Sequence, residues 1–195
     1  MQRNSIIALA VLATALLSFK ALDETKWTVD KSHAKLGFSA GHLLVSDVEG
    51  NFKSFNATIT AGSDDFTNAS VELSADASTI STDNDQRDGH IKSADFLDTA
   101  KFPKIEFKST SFKPSKVKGT FIIKGNLTLH GITKEITLSA SSKRGVNPMN
   151  NNKPVIGFKI SGTIKRSDFG IGASIPAAVV SEEVGINANV EFGKE

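Results

Sequence analysis

The residues able to do chemistry in this sequence are a few charged and imidazole side chains placed at the ends of apolar runs. Arg166 closes a stretch in which Ile156, Phe158, Ile160, Gly162 and Ile164 alternate with polar or small residues, so it continues their phase. A guanidinium there stands at one end of an apolar surface. It can bind a carbonyl or phosphate oxygen of a ligand, or pair with a nearby carboxylate such as Asp168 or Asp88. Arg87 and His90 lie three apart in a stretch that reads as helix and therefore share a face. They can cap a ligand's head group or hydrogen-bond the helix to its surroundings.

His42 and His130 adjoin glycines in predicted turns, and His33 stands near a strand start. His42 joins Arg166, Arg87 and His90 as a candidate at the rim of a binding site, whereas His130 reads as structural. No two histidines fall at an HxH or HxxxH spacing, so no metal centre is expected. The acids from Asp83 to Asp88 fail as a calcium loop, because Arg87 takes the third ligand position and Asp88 the place that needs glycine. The sequence holds no HExxH, no phosphate loop and no cysteine. Catalysis would need a dispersed acid and base, and no cofactor is implied.

The elements that must position these groups are strands. Lys26 to Asp30 reads as a short strand and Ala34, Leu36, Phe38 and Ala40 as the inward side of a second. A longer strand from about Val48 to Thr60 shifts its inward phase by one residue between Phe52 and Phe55, which calls for a bulge near Ser54. Val71 to Ala77, Ile105 to Phe112, Val117 to Leu129, Ile136 to Ala140, Ile156 to Ile164 and Val184 to Phe192 follow with period two. Arg144 to Pro154, rich in Asn and Gly, reads as a loop. The long interruption is residues 81–109, where Ser and Thr precede Asp83 and Asp85 and about ten residues of helix are expected. The pattern predicts an all-β, antiparallel barrel of about eight strands with a short helical insertion near residues 83–98 that covers or lines one mouth. The inner wall is expected to comprise Phe38, Phe52, Phe107, Phe121, Ile123, Leu127, Phe158, Ile160, Ile164 and Phe192. Glycines and alanines on the same phase should keep the lumen from being filled.

Composition bounds the partners. The chain has 195 residues, enough for one domain with a sizeable core. MQRN followed by the uncharged run SIIALAVLATALLSF reads as the n-region and h-region of a leader over residues 1–21, with the barrel domain occupying 22–195. A retained anchor is the alternative, and a cut after Ala21 would leave Phe19 where a small residue is expected. Loss of Arg3 and Lys20 with the leader takes the formal charge from +2 to zero, which argues against nucleic acid as a partner. Once cleaved, the chain has no stable membrane span. Thirteen Phe with no Tyr and one Trp supply apolar area without polar handles.

Four segments carry a resemblance: GHLLVSDVEGNFKSF (41–55), RDGHIKSADFLDTAKFPKIEFKS (87–109), GNLTLHGITKEITL (125–138) and IKRSDFGI (164–171). Together they closely resemble the YceI-like family, in the right order and across nearly all of the chain after the leader. The resemblance implies an extended lipocalin-like barrel, an exported protein of the periplasm or the exterior, frequent homodimers, and a polyisoprenoid chain such as a quinone or prenyl lipid held inside the barrel. Three readings stay open: a lipid carrier, an enzyme acting on such a lipid, and a packed barrel that binds a protein on its outside. Lipid in an organic extract would separate the first two from the third.

Overall fold

A computed structural model describes residues 24–195, so the expected leader lies outside the described residues. The period-two segments form ten antiparallel strands: β1 (Thr25–His42), β2 (Ser46–Phe52), β3 (Phe55–Ala61), β4 (Ser70–Asp76), β5 (Ile80–Ser81), β6 (Lys104–Pro114), β7 (Thr120–Leu129), β8 (Ile132–Asn147), β9 (Lys153–Lys165) and β10 (Val180–Lys194). One helix, α1 (Asp85–Lys92), lies between β5 and β6. β10 pairs with β9 on one side and β1 on the other, which closes the sheet and leaves no long free edge. β2 and β3 follow one another along the same edge of β1, against residues 36–42 and 25–28. β5 and β4 continue that arrangement beyond them. The ten strands thus make an eight-stave antiparallel barrel with one short helix, as the sequence pattern predicts.

Three local expectations are corrected. The two strands expected at 26–30 and 34–40 are one strand, because β1 keeps its pairing with β10 across a bulge between Asp30 and Ala34. Inside that bulge the Ser32 N–H donates to Asp30 Oδ1 at 2.8 Å, which replaces the lost ladder bond. The segment expected to be loop from Arg144 to Pro154 is strand at both ends: Arg144 pairs with Ile156 and Asn147 with Lys153, leaving only residues 148–152 to turn. The strand expected across 48–60 breaks at Lys53 and Ser54, where the bulge was expected. There the Lys53 and Ser54 N–H groups donate to Thr79 O and Thr79 Oγ1.

One end of the barrel is plugged by rings. Phe66, in the polar loop after β3, is fully buried and packs 5.3 Å from Trp27 and 5.8 Å from Phe158, centroid to centroid. Phe112 lies 4.9 Å from Phe121, and Phe158 lies 6.1 Å from Phe192. Tilted and edge-on pairs of this kind add about 0.5–1.5 kcal/mol each beyond the area they bury. The aromatic floor explains how a chain without disulfides gains enough core around a lumen that is not fully packed.

Candidate functional site

Above that floor the barrel encloses a cavity of about 720 Å³. Its wall comes from the inward phase of every long strand. Nine of the ten expected wall residues line it: Phe38, Phe52, Phe107, Ile123, Leu127, Phe158, Ile160, Ile164 and Phe192. Phe121 does not, since its ring is taken up by Phe112 and lies 6.0 Å from Phe158 within the floor. Leu36, Leu73, Ile105, Phe112, Leu138 and Ile186 also line the lumen. All but Phe112 share the inward phase and were legible by the same alternation; Phe112 is off the phase of Ile105 and Phe107 and is brought inward by a bulge between Ser109 and Ser111.

The inner glycines work differently from the expectation that they leave empty space. A Cβ on Gly125 would lie 2.4 Å from Phe107 Cζ, and one on Gly162 would lie 2.5 Å from Leu138 Cδ2. Each glycine lets a neighbour's side chain lie along the barrel wall instead of across its axis.

All six polar side chains of the lining, His42, Asn84, Gln86, Arg87, His90 and Arg166, come from the opposite end to the floor: the β1 terminus, α1 and the residues after β9. The helix is held there by a short network. Asn84 caps it by accepting from the Arg87 N–H, and Asp85 and Asp88 face its positive end. Buried Asp88 accepts from the Thr82 N–H at 2.8 Å and the Thr82 hydroxyl at 2.6 Å. The Arg87 Nε–H then donates to Thr82 Oγ1 at 2.7 Å and an Nη2–H to Thr82 O at 2.8 Å. Arg87 Nη1 has no partner among the described residues and is not sealed from solvent or ligand. His90 stands edge-on to Phe96 with 5.0 Å between centroids, and its Nε2 is 3.6 Å from Asp95.

Arg166 is differently placed. It opens a 3-10 turn, Arg166–Phe169, directly after β9, and is 5 % exposed. Nη1 donates to Ile171 O at 3.1 Å and Gly172 O at 2.5 Å. Nη2 donates to Ile175 O at 2.6 Å and Val180 O at 3.3 Å, and Nε to Ser181 O at 3.2 Å. All five N–H groups of a guanidinium are thereby engaged by backbone. Neither Asp168 nor Asp88 is its partner. The nearest carboxylate is Glu182, 3.9 Å from Nε, whose titration is lowered chiefly by the Ser167 hydroxyl that donates to it. Arg166 thus closes one end of the lumen by organising residues 171–181, and has no donor left for a ligand.

His130 is structural: it lies at φ 52° in the β7–β8 turn, edge-on to Phe102, with Nδ1 2.9 Å from Phe169 O. His33, which carried no signal in the sequence, sits in the β1 bulge with Nδ1 2.9 Å from Asp30 Oδ2. With Glu191 these form a surface group whose ligand-capable atoms lie within 4.8 Å of one another. The bulge creates that proximity, so His spacing could not reveal it.

The model of the YceI-like domain matches residues 27–192. A UPF0312 protein of Staphylococcus aureus is 35% identical over 174 residues, covering 86% of this chain and 97% of that one. The crystal structure of the Campylobacter jejuni YCEI protein is 30% identical with a TM-score of 0.70, covering 80% of this chain and 90% of that one. A polyisoprenoid binding domain from Saccharophagus degradans, implicated in plant cell wall breakdown, shares the fold at a TM-score of 0.61 and 14% identity over 87% of this chain and 98% of that one.

Proposed function

This chain belongs to the YceI-like family, and from that premise we propose that it is an exported binding protein holding a polyisoprenoid lipid, a quinone or a prenyl lipid, tail-first in the lumen. The observation that carries this reading is the separation of chemistry along the cavity: its polar side chains gather at one mouth, while aliphatic and aromatic groups continue to the aromatic floor. That layout matches a molecule with a long apolar tail and one small polar end. The tail gains about 0.8 kcal/mol per buried CH₂, whereas one charge-assisted hydrogen bond to the head contributes about 1.5–3 kcal/mol. Tail burial therefore supplies most of the affinity and the mouth chooses the head. Arg87, with Nη1 free, is the cation we assign to the head group, assisted by Gln86 and His90.

A carrier is favoured over an enzyme because the buried ionic groups at the mouth are already engaged: Asp88 by Thr82, and Arg166 by five carbonyls. Export rests on the uncharged run at residues 5–19, with a mature chain starting shortly after residue 20. An intact mass of the accumulated protein tests it, and full-length chain recovered from membranes would reject it.

Mass analysis of an organic extract of the protein purified from its host tests the lipid reading. A stoichiometric isoprenoid is expected, reduced in Ile160→Asp and retained in Lys159→Glu, with circular dichroism used to compare folded protein only. Equal lipid in the two folded variants, or none in the native protein, would reject the reading.

A further inference from the structure

A ligand of this kind does not travel freely through water, and the turn beside the mouth has features that the barrel itself does not require. Between β1 and β2, Leu43, Leu44 and Val45 are 52%, 81% and 83% exposed. Leu43 and Leu44 have φ of 52° and 60°, in the left-handed region that turns normally fill with Asn or Gly and where leucine is strained. The turn is nevertheless well made: the Val45 N–H donates to His42 O at 3.2 Å, and His42 pairs with Ser46. Two large apolar side chains are therefore kept where both solvent and backbone disfavour them, the kind of local cost that accompanies function.

The same surface runs into the lumen. The Leu43 N–H donates to Val179 O at 3.1 Å, and Val179 is 38% exposed while also lining the cavity. Neither residues 41–46 nor residues 169–181 contain an Asp, Glu, Lys or Arg. Pro176, Ala177 and Ala178 extend the exposed, uncharged surface.

Resting on the lipid-carrier reading, we propose that this rim docks on a lipid bilayer. The Leu43–Leu44–Val45 turn enters the interface as a shallow wedge and sets the mouth against the hydrocarbon, so that the ligand passes without crossing water. Shallow insertion of this sort scales with the apolar area offered. A bilayer is favoured over a second copy or another protein because the patch is continuous through Val179 with the mouth of an apolar lumen, which is where a lipid has to enter.

The test uses the protein in the form its host accumulates. Leu43→Asn with Leu44→Gly gives the turn the residues its backbone prefers, so its thermal midpoint is expected at or above that of the native chain. Val45→Asp adds a charge to the wedge without touching a left-handed position. Vesicles of phosphatidylethanolamine and phosphatidylglycerol carry fluorescently labelled geranylgeraniol. Both variants are expected to take up the probe about tenfold more slowly, the rate equivalent of a modest loss of interfacial area. Probe added from ethanol without vesicles should saturate both variants and the native protein alike. Native-rate uptake from vesicles by both variants would overturn the wedge while leaving the carrier reading intact. If those variants also convert a native dimer to monomer in sedimentation, the patch is assigned to self-association. Failure of the native protein to bind the probe from ethanol would overturn the carrier reading, and the wedge with it.

Discussion

Phe38 lies across Gly50, its registered partner on β2: a Cβ at Gly50 would sit 2.5 Å from Phe38 Cε1 and 2.8 Å from Thr82 Cγ2. The ring lines the lumen, so the glycine sets how far it reaches toward the axis. Gly50→Ala is expected to fold with a loss of about 1–3 kcal/mol from overpacking, and to turn the Phe38 ring inward and weaken binding of a prenyl probe. Adding Phe38→Leu to that variant should restore binding. Probe titration beside chemical denaturation checks it, and native affinity in Gly50→Ala would show that the ring does not limit the lumen.

Phe121 separates stability from binding. Its ring belongs to the floor, not the lining, so Phe121→Ala is expected to cost about 3–5 kcal/mol of stability. The folded fraction should keep native affinity for the probe. Ile160→Asp should instead lose affinity in whatever fraction folds, because its carboxylate faces the tail in an apolar lumen. Comparing denaturation midpoints with probe titrations distinguishes the two, and loss of affinity in folded Phe121→Ala would place that ring in the site.

Arg166 and Arg87 make a matched pair of tests. Arg166→Met leaves several buried carbonyls without donors, so a loss of about 2–5 kcal/mol and equal weakening of a bare isoprenoid hydrocarbon and its quinone are expected. Arg87→Met should weaken the quinone by about tenfold or more while leaving the hydrocarbon nearly unchanged. Titration with ligands matched in tail length measures both. Selective loss of the quinone in Arg166→Met would mean that its carbonyl contacts yield to a ligand.

The β1 bulge has its own pH signature. The Asp30 carboxylate raises the His33 titration above the ordinary imidazole value of 6.5, mainly through their hydrogen bond, and the same bond lowers Asp30. A raised His33 value means that the contribution disappears as pH rises from 6.5 through the folded value, and the lowered Asp30 value means that it also disappears as pH falls from 3.8 through that folded value, so the pair stabilises fully only between 3.8 and 6.5. An NMR titration should find the His33 midpoint above 6.5 in the native chain and lower in Asp30→Asn. An unchanged midpoint in that variant would exclude the contact.

Alternation of apolar and polar residues was sufficient to read most of the barrel from the chain alone. The runs through Ile156 to Ile164, Phe121 to Leu129 and Val184 to Phe192 each present one side inward, and β7, β9 and β10 do so. The helical insertion was legible from its polar entry and charge pattern, and Arg87 and His90 stand at the mouth as expected; its cap is Asn84 and not the Ser and Thr that precede Asp83, and Asn84 and Gln86 join the lining without having been foreseen. Period two reports which face a residue takes, not its height along the barrel axis. It therefore could not tell Phe121, in the floor, from Ile123, in the wall. Nor could it anticipate that Phe66, set among polar loop residues, would be buried in the plug.

Arg166 shows the same boundary from the polar side. Its phase placed it at the end of the tube, but its partners are backbone carbonyls of residues 171–181, and every residue type supplies a carbonyl. Only the path of that returning segment in three dimensions decided that the guanidinium is spent on structure. The bulge that brings His33 to Asp30 and Glu191 arose likewise from pairing between distant strands, whereas the left-handed turn that exposes Leu43 and Leu44 follows from the register of the local β1–β2 hairpin.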